Sequence, residues 1–445
     1  MALDIAIGVA LVLGIIILVH EWGHFIVARM CKVRVDVFSI GFGPRLFGWK
    51  RGATDWRISA LPLGGYVRMA GQDLSDVDSN DVAPTGAADE LMSKPRWQRA
   101  LIAFGGPLVN FIFPLLLLGV FYGAVGLPQS RILKQPLQVS YLSTTLDKPS
   151  PLQVGDRVIE LNGLKNPTWE SGLAYLDRLP PGSPLTLTVE NKGVTRTVQT
   201  SLKDPSSLGA VFGFVPFPPV IDNVSPRTPA KHAGLRSDDR ILEANGRPIS
   251  YWGEFVDVVH QSKGQPVALK VGRDGKQLNI SVTPKKGLSE SSENNWQIGV
   301  VNQDDIYYQR TSLRESTEYA FRRTGDFFTQ TLDVVGRLFS GRASVKQLQS
   351  VVGIAQVSGD AVHHGPSQVV VLMAFISVNL GILNLLPIPI LDGGQILLLS
   401  IEGLMRRDFS MAVKERFVQV GFVFLLLLFA YVMYNDVVGL LPIHS

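Results

Sequence analysis

Four long apolar segments restrict this chain to the folds of membrane proteins. They cover residues 5–19, 100–126, 369–386 and 417–434, and each is close to the ~20 residues that a helix needs to cross a bilayer. Hydrophobic residues make up 46% of the 445-residue chain, and their clustering is what favours a membrane protein. The sequence therefore predicts a multi-pass α-helical membrane protein with four transmembrane helices.

A polar motif lies inside the first transmembrane helix. His20, Glu21 and His24 form the pattern H-E-x-x-H, with apolar sequence on both sides. Positions i and i+4 of an α-helix share one face, so the two histidines can bind one metal ion. Glu21 can then reach a metal-bound water and accept its proton. Ionisable groups are costly inside a bilayer, and a zinc ion in a water-filled pocket would compensate them; the alternative is helix–helix hydrogen bonding without metal.

Basic residues cluster in the connections that join span one to span two and span three to span four. The first connection contains Lys32, Arg34, Arg45, Lys50, Arg51, Arg57, Arg68, Lys94, Arg96 and Arg99, and the second contains Arg406, Arg407, Lys414 and Arg416. Under the positive-inside tendency both connections face the cytoplasm. The long stretch from about residue 128 to residue 365 is then expected on the exported side, and H-E-x-x-H near the cytoplasmic side.

Charge and cysteine content exclude two other classes of protein. The formal net charge of +4 is small and dispersed, so nucleic acid is not an expected partner. Cys31 is the single cysteine, so no disulfide framework supports the exported stretch.

The exported stretch contains one pattern twice. Residues 155–163 (GDRVIELNG) recur as residues 238–246 (DDRILEANG), and a glycine-containing turn and alternating strands follow each copy. The pair resembles tandem PDZ domains, with the second copy the clearer match. PDZ grooves accept an extended peptide as an added strand, so peptide ligands are possible partners; the alternative is a pair of rigid spacers.

A helical pattern with many charges precedes the third span. Phe328, Leu332, Val335 and Phe339 recur at helical spacing, with several arginines and aspartates among them. The charges argue against a fifth span. We expect an amphipathic helix that lies on the membrane or against the repeated domains.

A third metal ligand is expected after the third span. A catalytic zinc site usually has three protein ligands and one water. Asp392 follows a span that runs from outside to inside, so it reaches the depth of the H-E-x-x-H motif. Pro387 and Pro389 break the helix before it, which is tolerated at membrane depth where protein or a cavity lines the backbone. His363 and His364 precede the span on the opposite side and are interpreted as surface residues.

The two motifs together resemble a known family. H-E-x-x-H in span one, with the N-x-x-P-x-P-x-L-D-G segment at residues 384–393, is similar to the site-2 protease family of intramembrane zinc metalloproteases. The resemblance implies that Zn2+ is the cofactor, that His20, His24 and Asp392 bind it, and that Glu21 is the general base.

The same resemblance implies roles for three asparagines. Asn379 and Asn384 are expected to border the substrate cleft, with Asn384 holding the substrate backbone. Asn110, in a Gly-Gly-Pro-Leu-Val-Asn segment of span two that also resembles a family motif, is expected to hydrogen-bond near the site.

Residues 39–67 are predicted to form a β-hairpin between spans one and two. This segment resembles the family's membrane-reentrant β-loop, which could clamp an extended substrate by strand addition. The contact residues expected there are Gly41, Gly43, Gly64, Gly65 and Tyr66. The alternative is an ordinary cytoplasmic hairpin.

The resemblance implies a multi-pass enzyme of the bacterial inner membrane that cuts within the transmembrane segment of single-span proteins. The tandem PDZ domains narrow it to the bacterial members that regulate sigma-E, whose substrate is a membrane-anchored anti-sigma factor already trimmed on its exported side; remnant signal peptides are a further substrate class. The alternatives are a PDZ-bearing membrane scaffold with an inactive metal site and a metal transporter, although the sequence contains no chain of intramembrane carboxylates.

The expected order of domains follows the chain. It is transmembrane helix 1 (1–30), the hairpin connection (31–97), transmembrane helix 2 (98–127), the two PDZ domains (128–215 and 216–286), a linker with amphipathic helices (287–366), transmembrane helix 3 with the N-x-x-P-x-P-x-L-D-G segment (367–394), and a connection with transmembrane helix 4 (395–445).

Overall fold

The computed structural model describes residues 2–71, 85–142, 150–180, 182–201, 212–213, 215–225, 228–286, 295–340 and 351–440. The chain divides into two units. The helical unit contains Met1–Leu127 and Arg310–Ser445, and the β-rich unit contains Pro128–Gln309.

The secondary structure follows the chain in this order. The helices are α1 (Ala2–Val9), α2 (Ile15–Met30), α3 (Arg96–Val125), α4 (Trp169–Leu176), α5 (Pro229–His232), α6 (Trp252–Gln261), α7 (Leu313–Phe339), α8 (Val351–His364), α9 (Pro366–Asn384), α10 (Asp392–Met405) and α11 (Met411–Leu440). The strands are β1 (Val35–Arg51), β2 (Thr54–Met69), β3 (Leu127–Ser130), β4 (Arg157–Leu161), β5 (Leu164–Lys165), β6 (Pro184–Asn191), β7 (Val194–Ser201), β8 (Ile221–Val224), β9 (Arg240–Ala244), β10 (Arg247–Pro248), β11 (Val267–Arg273), β12 (Lys276–Val282), β13 (Lys285–Lys286), β14 (Trp296–Gln297), β15 (Val300–Asn302) and β16 (Ile306–Gln309).

The helical unit contains the predicted membrane spans. Within the described residues, four helical segments are long and apolar enough to cross a bilayer: Ile5–Met30, Arg96–Val125, Pro366–Asn384 and Ala412–Tyr434. The first joins α1 to α2 through one π-helical turn, Ala10–Gly14, which lies ahead of the H-E-x-x-H motif.

Glycine allows α2 and α3 to approach each other closely. A Cβ atom on Gly23 would lie 2.2 Å from the carbonyl oxygen of Gly105, and one on Gly105 would lie 2.8 Å from the carbonyl oxygen of Gly23. Small residues at a helix crossing let two backbones pack without intervening side chains, which is how membrane helices commonly associate. The crossing brings the histidine face of α2 against the middle of α3.

The predicted hairpin between the first two spans is present, and it is doubled over. Phe38 of β1 pairs with both Val67 and Trp56 of β2, and Trp56 pairs on its other side with Trp49. Residues 35–40 therefore lie between residues 65–69 and residues 54–58, and the two long strands form a sheet four segments wide. The association of this sheet with the membrane stays a prediction.

Aromatic side chains pack the doubled hairpin against α2. The ring centroids of Phe38 and Trp56 are 4.9 Å apart. Phe25 of α2 lies 5.1 Å from Trp56, and Trp22 of α2 lies 5.8 Å from Phe38. Aromatic contacts of this kind fix the sheet beside the helix that carries the H-E-x-x-H motif.

The β-rich unit confirms the internal repeat as structure. One sheet has the order β5-β4-β6-β7 and the other has β10-β9-β11-β12. Asn162 and Asn245 occupy equivalent turns with φ of +44° and +49°, and their side-chain oxygens accept from the amides of Thr186 and Ala268.

A buried ion pair also recurs in the two copies. Asp156 and Asp239 are fully buried; Asp156 binds Arg196 on β7, and Asp239 binds Arg273 at the end of β11. Loss of the arginine from either pair would leave a buried aspartate charge without its partner, which is strongly destabilising.

The segment of the predicted amphipathic helix forms α7, and its buried face differs from the predicted stripe. Ala320 and Phe327 are buried, whereas Leu332 is 46% exposed. The buried face packs on Leu118 of α3 and Val378 of α9. The helix thus lies against spans two and three, an arrangement that the spacing of apolar residues alone does not distinguish from contact with a membrane surface.

Candidate metal centre

Three side chains from opposite ends of the sequence converge in the helical unit. His20 and His24 lie one turn apart on α2, and Asp392 is the first residue of α10. Their possible ligand atoms all lie within 4.8 Å of one another. The Nε2 atoms of His20 and His24 are 3.2 Å apart, and they lie 3.3 Å and 3.5 Å from the carboxylate oxygens of Asp392.

These separations fit a tetrahedral zinc ion. Bonds of ~2.0–2.1 Å from zinc to imidazole nitrogen and carboxylate oxygen place neighbouring ligand atoms about 3.3 Å apart. Two imidazoles and one carboxylate are also the donor set of many catalytic zinc sites, in which water takes the fourth position. The residues present therefore suit Zn2+.

A strained turn places Asp392. Ile390 has a φ of +80°, a left-handed conformation that a β-branched residue rarely adopts. A Cβ on Gly393 would lie 2.3 Å from the carbonyl oxygen of Leu385, and one on Gly394 would lie 2.2 Å from that of Ile388. The turn after α9 is therefore folded tightly on itself, and its glycines permit α10 to begin with the carboxylate directed at the histidines.

The second nitrogen of His24 has its own partner. Nδ1 of His24 donates to the carbonyl oxygen of Ile102, at 2.9 Å. A proton on Nδ1 leaves the lone pair on Nε2, which is the tautomer that binds a metal through Nε2.

Asn110 of α3 is the partner of His20. Its Nδ2 lies 3.1 Å from Nδ1 of His20, and its Oδ1 is buried without a partner among the described residues. Rotating the amide by half a turn places Oδ1 at this position, where it accepts from Nδ1–H and is no longer unpaired. This orientation again leaves Nε2 free for a metal, so the expectation that Asn110 hydrogen-bonds near the site agrees with the geometry.

Gly106 is a part of the site that motif comparison does not reveal. A Cβ at this position would lie 2.5 Å from Nε2 of His24 and 2.6 Å from Cε1 of His20. Only glycine lets α3 pass this close to both imidazoles. The signal in the sequence is the Gly-Gly-Pro run in span two, which by itself indicates helix packing.

We expect Gly106→Ala to lower zinc affinity about 10- to 100-fold, as changes to groups that orient metal ligands commonly do. The added methyl displaces one or both rings. The measurement is zinc retained by the purified protein against a graded chelator. Gly119→Ala on the same helix is the matched control, because its Cβ meets only Ala320 Cβ at 3.9 Å. Equal zinc retention in both variants would contradict the role given to Gly106.

The catalytic carboxylate expected from the motif lies between the metal ligands and the doubled hairpin. A Cβ on Gly65 would lie 3.4 Å from Cγ of Glu21. The structure thus brings Gly65 of the hairpin beside Glu21.

The other predicted hairpin residues lie where the sheet bends. Gly41, Gly43 and Gly64 have φ values of +89°, +85° and +141°, a conformation that favours glycine. The Phe42 ring stacks on Tyr66 with centroids 6.0 Å apart and occupies the space that a Cβ on Gly64 would need.

The predicted asparagines of α9 have different surroundings. Asn384 joins the site, since its Nδ2 lies 3.2 Å from Nε2 of His20. Asn379 accepts a hydrogen bond from the hydroxyl of Thr331 on α7. His363 and His364 lie at the end of α8, where the ring of His364 bonds to the carbonyl of Asp360, and they do not join the metal group.

The chain is similar to known proteins over nearly all of its length. The model of peptidase family M50 matches residues 8–428. The regulator of sigma-E protease RseP of Escherichia coli K12 is 32% identical, over 95% of this chain and 96% of that protein. The regulator of sigma E protease of Salmonella typhi is 31% identical over the same shares. A putative zinc metalloprotease of Vibrio cholerae is 30% identical over 97% of each chain.

Among solved structures, the PDZ domain of an SdrC-like protein from Listeria innocua is 23% identical, covers 21% of this chain and 99% of that one, and has a TM-score of 0.17. The range matched by the family model contains both histidines, Glu21 and Asp392. The four apolar helices agree with a protein of the bacterial inner membrane. The chain belongs to peptidase family M50 and is a zinc metalloprotease of the site-2 type.

Proposed function

We propose that this protein hydrolyses a peptide bond within the transmembrane segment of a single-span membrane protein. The observation that carries the proposal is the convergence of three possible ligands: His20 and His24 lie inside a helix long and apolar enough to span a bilayer, and Asp392 meets them from the turn that follows a second such helix, α9. A metalloprotease site at this depth meets substrates that are themselves in the membrane.

The residues divide the chemistry among them. His20, His24 and Asp392 would hold Zn2+, which when bound supplies Lewis-acid activation of the attacking water and of the scissile carbonyl. Glu21 takes the proton of the water and later returns it to the leaving amine. No covalent intermediate with the protein is needed.

Asn384 is proposed to bind the substrate backbone. Nε2 of His20, which lies 3.2 Å from the Asn384 amide, is also the atom directed at Asp392 and at the metal position. Nε2 has one lone pair, so the Asn384 amide would lose this acceptor once His20 held the metal, and it would then be available to a substrate carbonyl. Asn379 is proposed to border the same cleft, with its bond to Thr331 holding α7 against α9.

The hairpin is proposed to present the substrate in extended form. Residues 65–69 pair with residues 35–40 on one side and form an edge of the sheet within the described chain. An edge strand offers backbone donors and acceptors to an added strand. An unwound substrate paired along Gly65 and Tyr66 would pass beside Glu21, with Gly41, Gly43 and Gly64 shaping the bend.

The substrate class rests on the relatives and on charge. Two relatives are named regulators of sigma E, so we propose a membrane-anchored anti-sigma factor already trimmed on its exported side, with remnant signal peptides as further substrates.

The basic connections orient the repeats, which we propose are PDZ domains, to the exported side and the metal site toward the cytoplasm. The repeats would then exclude substrates whose exported portion is bulky.

A reporter assay tests the proposal. Full-length protein in proteoliposomes is given two single-span reporters with one transmembrane segment, one bearing a folded exported domain and one trimmed. We expect cleavage of the trimmed reporter alone, and loss of cleavage after zinc is removed by a chelator. Protein that retains its fold and zinc but cuts neither reporter would favour the scaffold alternative, and equal cleavage of both would remove the exclusion role of the repeats.

A further inference from the structure

A charged cavity lies at the far end of α10 from Asp392. Its volume is ≈620 Å³, and it opens between the first turn of α3 and the last turns of α10. The lining residues that carry the argument are Lys94, Arg96, Trp97, Arg99, Gly403 and Asp408.

The charge of this cavity is positive. Lys94, Arg96 and Arg99 face one carboxylate, Asp408. Nε and Nη2 of Arg96 each lie 2.9 Å from Oδ1 of Asp408, while Lys94 forms no ion pair within the described chain. The hydrogen bond from Arg96, with the charges of Arg99 and Lys414, holds the pKa of Asp408 below its usual range, so the carboxylate stays ionised. The charged side chains that line the cavity therefore carry two more positive charges than negative charges.

Arg99 supplies an observation independent of charge. Its side chain is 10% exposed, and its Nε is buried without a hydrogen-bond partner among the described residues. Its other nitrogens contact Met92 Sδ at 3.5 Å and Asp408 at 3.8 Å, which are weak contacts for a guanidinium. Because the protein supplies only these weak partners, the Nη groups of Arg99 retain donors for an anionic oxygen in the cavity.

The helix end adds donors of the same kind. α3 begins at Arg96, and the preceding Pro95 provides no side-chain cap. The first amides of an uncapped helix lack intrahelical acceptors and carry the positive end of the helix dipole, which suits a phosphate group.

The position in the fold favours a lipid as the source of that phosphate. α3 is a membrane-spanning helix, so its first turn lies at the bilayer interface. Trp97 in this turn and Leu404 beside the cavity are both exposed, as expected of residues that meet headgroups and acyl chains. Basic pockets between transmembrane helices are a known setting for anionic headgroups.

We propose that this cavity binds the phosphate of an anionic phospholipid headgroup. The lipid would join the start of α3, the helix that carries Gly106 and Asn110, to the end of α10, the helix that begins with Asp392. It would thereby steady two of the helices that form the metal centre from a distance.

The test measures binding, and it is independent of protease activity. Full-length protein in phosphatidylcholine nanodiscs is titrated with fluorescent phosphatidylglycerol and, separately, with fluorescent phosphatidylcholine. We expect wild-type protein to prefer phosphatidylglycerol. Each Lys or Arg near a membrane surface contributes enough to make that preference about fivefold weaker in Arg99→Gln and in Lys94→Gln. Arg407→Gln is the matched control, because Arg407 is exposed on the adjoining connection and does not line the cavity.

Three results would overturn the proposal. One is an absent preference in wild-type protein with native zinc content. Another is an Arg407→Gln variant that loses as much preference as Lys94→Gln, which would indicate diffuse surface charge. The third is complete displacement of the fluorescent lipid by inorganic phosphate, which would assign the cavity to a soluble anion. Lys94→Gln keeps the test decisive if Arg99→Gln fails to fold.

Discussion

Glu21→Gln is expected to abolish hydrolysis while zinc stays bound. The amide has nearly the shape of the carboxylate but cannot accept the proton of the attacking water, and a positioned general base contributes ~10²–10⁴-fold to the rate. Glu21 is not one of the three converging ligands, so the metal group is left intact. The measurements are the initial rate on the trimmed reporter and the zinc content of the same sample.

Glu21→Asp is the companion variant for this prediction. It keeps the carboxylate but moves it away from the position beside Gly65, so part of the activity should remain. A Glu21→Gln protein that cuts the reporter at the wild-type rate would remove Glu21 from the mechanism. One that loses its zinc as well would show that Glu21 holds the metal.

Asp392→Asn is expected to remove zinc and activity together. The neutral amide is a much weaker zinc ligand than the carboxylate, whose oxygens lie 3.3 Å and 3.5 Å from the two imidazole nitrogens. Since loss of outer groups that only orient ligands already costs 10–100-fold in metal affinity, loss of this ligand should exceed about 100-fold. Zinc retained against a graded chelator and the reporter rate should fall in parallel.

Asp326→Asn is the control for this substitution. It makes the same chemical change at an exposed position of α7 that has no part in the metal group, and zinc retention should equal that of the wild type. An Asp392→Asn protein with full zinc retention would mean that another group completes the metal site.

The two histidines of the site could be predicted because they follow from a local rule. His20 and His24 share a face through helical periodicity alone. Asp392 required the additional step of counting spans and noting that Pro387 and Pro389 break a helix at membrane depth. The structure brings these three together, as the paired motifs implied.

The remaining features depend on contacts between segments distant in the sequence. The need for glycine at position 106 arises from the approach of α3 to two imidazoles of α2, and the sequence of α3 does not specify that approach. The doubled hairpin is set by pairing of Phe38 with two separate segments of β2, whereas alternation predicts only that strands are present. The buried face of α7 is likewise decided by its partners on α3 and α9.

The most direct test of the account is the mass of the two fragments released from the trimmed reporter. The account predicts that they meet at a peptide bond inside the apolar segment and that neither forms with Glu21→Gln protein. Fragments that meet outside the apolar segment, or that form equally with the Glu21→Gln protein, would contradict it.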